Sequence, residues 1–175
     1  DYFGQPTWRD PLPPLDELIS TILSQNTNDA NRDRAFQSLR RNFPAWEQVR
    51  DGGESAVIDA IKTAGLANQK GPRIQQVLRE ITAERGSLDL GFLADLPLED
   101  ARAWLLKFKG VGPKTAAIVL CFSLGRPAFP VDTHIYRVSG RLGLRPEKMS
   151  VEAAHQHLES LFPPESFYAA HLNLI

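Results

Sequence analysis

A lysine placed directly after a Gly-x-Gly-Pro turn is the first position in this chain whose type and setting suggest chemistry. The stretch reads Gly110-Val111-Gly112-Pro113-Lys114-Thr115. Helical apolar spacing precedes it and resumes after it, so it predicts a helix, a tight hairpin and a second helix, with proline at a favourable first helical position. Glycines without Cβ atoms let a phosphate reach the main chain, and the free N–H groups of Gly112, Lys114 and Thr115 at the new helix start would point at it. An ordinary corner between two helices uses the same residues, so the turn alone leaves both readings open. Charge favours the first. Residues 101–150 hold nine Lys and Arg against only Asp132 and Glu147, a net of +7, whereas the rest of the chain carries −8. A basic segment on an acidic body suggests a surface that faces a polyanion.

Lys114 lies in the first turn of its helix, and a lysine amine is a nucleophile that can attack carbon. Asp132 follows 18 residues later. A helix from Pro113 to about Leu124 is roughly 18 Å long, and residues 125–131 can span up to ~23 Å, so the chain can bring Asp132 back to the lysine end. Asp132 before Thr133-His134-Ile135 is also a good helix N-cap, and one side chain can serve both purposes. The histidines form no metal site by spacing: His155 and His157 point to different helix faces, and His134 and His171 are isolated in sequence. Cys121, between Leu120 and Phe122, reads as a small buried hydrophobe. As the single cysteine, it excludes an intramolecular disulfide and an all-cysteine metal site built from these residues.

The elements that must position these groups are helical. Leu15, Leu18, Ile19, Ile22 and Leu23 form one stripe after Pro13-Pro14, which predicts a helix over about 15–24. Similar stripes recur to the end, separated by Gly and Pro, and no segment alternates with period 2. The prediction is an all-α protein of nine or ten short helices without internal repeat. Its 175 residues, 42% hydrophobic and 23% charged, contain no apolar run near the ~20 residues of a membrane span. A soluble, cytoplasmic, monomeric protein is expected. No secretory signal opens the chain; the absent initiator Met and a last stripe that stops in mid-pattern suggest that the natural protein continues at both ends.

On these motifs the chain resembles the helix-hairpin-helix (HhH-GPD) DNA glycosylases of the endonuclease III type. The strongest parts are Gly110-Val111-Gly112-Pro113-Lys114-Thr115-Ala116 and Pro130-Val131-Asp132-Thr133-His134-Ile135-Tyr136-Arg137-Val138. Leu23-Ser24-Gln25-Asn26-Thr27 and Ile61 to Lys70 are weaker parts. The resemblance implies an enzyme that flips a damaged base out of double-stranded DNA and cuts its glycosidic bond. Lys114 would attack C1′ and form an imine, and Asp132 would activate it and stabilise positive charge on the sugar. Gln25 would enter the gap left by the extruded nucleotide, and Leu66 would wedge the stack. A solvated helix end for Gln25 and a cap contact for Leu66 are the plainer readings. Lys109, Gly110, Val111, Gly112 and Thr115 would meet the DNA backbone. Lys109 departs from the family, which usually has proline there.

The resemblance further implies two lobes with the active cleft between them: 15–125 with six helices, and 1–14 joined to 126–175. The expected activity is that of a bifunctional glycosylase and abasic-site (AP) lyase in base-excision repair, acting on oxidised pyrimidines. A monofunctional mismatch or uracil glycosylase and a non-catalytic DNA-binding module are the alternatives. Many relatives also carry a 4Fe-4S cluster on a four-cysteine loop beyond the segment matching 171–175. This chain has no such cysteines, so no metal or cofactor is expected in it; a cluster would require a cysteine loop in a longer protein.

Overall fold

The structure, a computed structural model, describes residues 10–175. Among them there are ten α-helices and no strand, so the all-α expectation holds. None of these helices is long and apolar enough to cross a membrane. Two compact units form. One comprises Leu15–Leu90 with Phe108–Gly110; the other contains Gly91–Lys107 and Val111–Ile175 together with 10–14. This cut differs from the expected lobes, which grouped 91–125 with the N-terminal half. Residues 1–9 of the expected second lobe lie outside the described residues.

The first unit holds α1 (Pro14–Ser24), α2 (Asp29–Asn42), α3 (Trp46–Asp51), α4 (Glu54–Ala60) and α5 (Ala67–Arg85), with a 3-10 turn at Lys62–Ala64. Pro14 and the acidic Asp16 and Glu17 suit the start of α1. The predicted stripe Leu15, Leu18, Ile19, Ile22 and Leu23 is buried, as are Leu39, Val49, Val57, Ile74 and Leu78 of the other helices of this unit. The Asn28 side chain accepts from the Asn31 amide at 2.9 Å and caps α2. Gly86, at φ +75°, ends α5.

Two polar side chains of α5 are buried in this apolar unit, and both close helix ends. Lys70, 1% exposed, donates from Nζ to the Leu23 carbonyl at 2.7 Å and to the Ala64 carbonyl at 2.8 Å. These acceptors stand at the ends of α1 and of the 3-10 turn, where the helical ladder supplies no donor. Burial, with the nearby charge of Arg73, holds the Lys70 ammonium below its usual range. Gln75 donates from Nε2 to the Val49 and Gly52 carbonyls at 2.9 and 2.8 Å and closes α3 in the same manner.

The second unit holds α6 (Leu98–Leu106), α7 (Pro113–Ile118) continued by a π turn at Val119–Ser123, α8 (Thr133–Arg141), α9 (Val151–Leu161) and α10 (Phe167–Leu174). Its apolar core contains Cys121, Phe129, Val131, Ile135, Ala154, Leu158, Phe167 and Tyr168. Glu159 explains why α6 groups with the C-terminal helices: its Oε1 accepts from Arg102 Nη2 at 2.9 Å and from the Phe129 amide at 2.8 Å. Arg126 likewise donates from Nη1 to the Leu93 and Ala94 carbonyls, tying 91–94 to the segment after α7. Burial, followed by the Glu159 charge, pushes the Cys121 thiol up to about 12.

Lys70→Met keeps an aliphatic body but leaves two buried carbonyls without their donor. It is expected to lower unfolding stability by about 2–4 kcal/mol, read by urea denaturation, because an unsatisfied buried polar group costs ~1–3 kcal/mol.

Candidate nucleic-acid interface and active site

The hairpin predicted from the glycines forms between α6 and α7. Gly110 has φ +87°, a left-handed conformation that favours glycine. A Cβ there would lie 2.3 Å from Cδ and 2.6 Å from Nε of Arg73, so the Arg73 side chain covers the glycine. Gly112 differs. It is extended, at φ −101°, and caps α7, yet a Cβ there would meet nothing within 4 Å. Packing therefore does not demand a glycine at 112, and the open space lies where an incoming group would approach the main chain. Pro113 opens α7, Val111 is buried, and Lys109 is exposed. Thr115 is also buried.

Gln25 lies just beyond α1 and is not a solvated helix end. Its Nε2 donates to the Gly110 carbonyl at 2.9 Å, and its Oε1 accepts from Arg73 Nη1 at 3.2 Å. Leu66 precedes α5 at φ +50° and is 47% exposed. Leu66 is the N-cap residue of α5, its carbonyl accepting from the Gln69 and Lys70 amides at 2.9 Å, and a half-exposed large apolar side chain on a left-handed backbone is a costly arrangement.

Lys114 is partly exposed in the first turn of α7, and no carboxylate pairs with it among the described residues. Asp132 is the N-cap of α8: its Oδ1 accepts from the Ile135 amide at 2.7 Å. The capping role foreseen from sequence is thus present, with the second carboxylate oxygen left over. One buried group senses both. The His171 imidazole, bonded through Nδ1 to the Pro130 carbonyl at 2.9 Å, is held below its usual range by burial. The Asp132 carboxylate opposes that shift and the Lys114 ammonium adds to it. His171 also stands edge-on to Phe122, ring centroids 5.3 Å apart, in the π turn that continues α7.

Sequence reasoning missed His171 and Arg73. Both act through contacts between residues more than 40 positions apart, which spacing along the chain does not report. Among the described residues no three His, Cys, Asp or Glu side chains gather where a metal could bind. A single cysteine, buried and kept as the thiol, does not fit a 4Fe-4S cluster, which needs thiolates.

The HhH-GPD model, described as a superfamily of base excision DNA repair proteins, matches residues 19–164. The chain belongs to this superfamily. Endonuclease III of Thermotoga maritima is 34% identical over 152 residues, 87% of this chain and 67% of that protein. A candidate DNA glycosylase of Arabidopsis thaliana, At3g47830, is 40% identical over 151 residues, 86% of this chain. The chain spans about half of that protein, 52% of its length. The solved structure of a trapped endonuclease III–DNA covalent intermediate matches with a TM-score of 0.80 at 26% identity, covering 98% of this chain and 76% of that one. The fold is that of HhH-GPD glycosylases.

The two hairpin glycines separate stability from access. Gly110→Ala must adopt a left-handed backbone and displace Arg73, and is expected to cost about 1–2 kcal/mol for the backbone alone. Gly112→Ala is expected to stay near the parent stability. Denaturant unfolding of both variants measures the difference.

Proposed function

We propose that this chain excises damaged bases from double-stranded DNA as a bifunctional glycosylase and AP lyase, with oxidised pyrimidines as the base class. The observation that carries the reading is Lys114. It lies two residues beyond the open glycine at 112, has no paired carboxylate among the described residues, and acts on the same buried imidazole as Asp132. The likeness to endonuclease III, for which a covalent DNA intermediate has been trapped, supports the same assignment, as does the +7 charge of residues 101–150.

In this reading the hairpin amides hold a backbone phosphate without reading a base. Gln25 fills the space of the extruded nucleotide and Leu66 wedges the neighbouring stack. The free Asp132 oxygen takes a proton from the Lys114 ammonium, and the Nζ lone pair attacks C1′. The glycosidic bond breaks with its electron pair leaving on the base, which takes up the proton held by Asp132. Asp132, again a carboxylate, stabilises the positive charge left on the sugar. The sugar ring then opens: the C1′–O4′ bond breaks, O4′ takes up the proton that Nζ gives up, and an imine joins Nζ and C1′. Loss of a C2′ proton drives β-elimination, in which the C3′–O3′ bond breaks and the 3′ phosphate leaves. Water hydrolyses the imine and restores the amine.

Borohydride reduction during turnover should therefore freeze a protein–DNA adduct on an abasic duplex. Lys114→Gln is expected to bind the duplex and form no adduct; a parent protein that never traps would overturn the lyase assignment. Asp132→Asn retains an oxygen for the Ile135 amide and loses the charge. It should melt near the parent temperature while single-turnover cleavage falls about 100-fold or more, within the usual range for a positioned acid–base group. A panel of duplexes carrying oxidised pyrimidines, oxidised purines, uracil and mismatches tests the base class.

A further inference from the structure

The geometry points to Arg73 as a positioning residue for DNA engagement, one that holds the Gln25 carboxamide on the hairpin turn. The inference rests on the proposal that Gln25 and the hairpin meet DNA. It adds the reason that the two act together.

Three segments distant in sequence close on one another here. Arg73 Nη1 donates to Gln25 Oε1 at 3.2 Å, and Gln25 Nε2 donates to the Gly110 carbonyl at 2.9 Å. The Arg73 side chain closes the ring by lying over the Gly110 Cα, where a Cβ would come within 3.0 Å of Cδ, Nε and Cζ. Each contact orients another. The guanidinium donates only, so it selects the carboxamide orientation with Oε1 toward Arg73 and the NH2 group toward the turn. Gln25 follows the end of α1, its backbone N–H still bonded to the Ile22 carbonyl at 3.3 Å, and precedes Asn26 at φ +54°; its side-chain carboxamide is oriented by Arg73 and Gly110.

Among the described residues no carboxylate pairs with Arg73, whose guanidinium donates to Gln25, and its charge adds to burial, the larger cause, in holding the Lys70 ammonium below its usual range. Beside a turn that binds a polyanion that charge becomes favourable. Its role is to keep the side chain that fills the gap in the duplex in fixed register with the carbonyl of the turn, so that seating the hairpin on a phosphate also aims Gln25.

The test is a double-mutant cycle read by affinity for a duplex that carries a non-cleavable tetrahydrofuran abasic analogue, a readout independent of lyase chemistry. Arg73→Met keeps the methylenes over Gly110 and removes the donors. Arg73→Met and Gln25→Ala are each expected to weaken binding roughly tenfold, and the double variant is expected to bind no more weakly than Gln25→Ala. Arg73→Lys, which keeps a donor and the charge, should recover most of the loss. Melting temperatures of the single variants should stay near the parent's; a loss that tracks unfolding would reduce Arg73 to structural support and overturn the inference. An Arg73→Met effect that persists undiminished in the Gln25→Ala background would make Arg73 a direct phosphate ligand and overturn it too. A neutral Gln25→Ala would also overturn it. If the parent protein fails to trap on abasic DNA but the cycle shows the expected coupling, the lyase assignment falls and the Arg73 inference stands.

Discussion

Much of the first unit depends on one buried ammonium. Lys70 Nζ binds the carbonyls of Leu23 and Ala64, and the two residues proposed to probe DNA, Gln25 and Leu66, each stand two positions beyond those acceptors. A lysine is suited to this because it reaches through an apolar core on an aliphatic stem and brings several donors to a single point. Neither chain segment can continue its helix, so without a side-chain donor their terminal carbonyls would need water inside the core. Three residues along α5, Arg73 then holds Gln25 itself. One face of one helix thus supplies both the anchorage and the aim.

The second unit solves the corresponding problem with an acid and an imidazole. Glu159 on α9 fixes the amide of Phe129, and His171 on α10 fixes the carbonyl of Pro130, so the segment that delivers Asp132 is held from two helices immediately before α8 begins. Glu159 also accepts from Arg102 on α6, the helix that leads into the hairpin. Because Arg102 and Glu159 are largely buried, the pair is costly to desolvate, and its second acceptor role at Phe129 helps offset that cost.

The helices were legible because the core is built from apolar residues at helical spacing. The stripe from Leu15 to Leu23 gave α1 to within a residue of its observed start, and the Asp132 cap followed from a local pattern. The hairpin was legible because its reversal needs residue types that few other structures need. The expected single helix from Pro113 to Leu124 instead passes into a π turn at 119–123, which apolar spacing does not distinguish from an α-helix over so short a length. The placement of Gln25 in a hydrogen-bond network, the burial of Lys70 and the reach of His171 were not legible. All three are set by partners remote in the chain, and a polar residue carries no mark in the sequence to say that it will be buried.

Leu66 adds a last consequence. Its left-handed backbone and its exposure both cost free energy in the isolated protein, and glycine at this position would relieve both at once. A version of this chain optimised for folding alone, by design or by drift under relaxed function, should therefore lose the leucine early. If the side chain is the wedge proposed for it, thermal robustness and the capacity to open a duplex pull this position in opposite directions, and the residue now present reflects selection for work on DNA over selection for persistence.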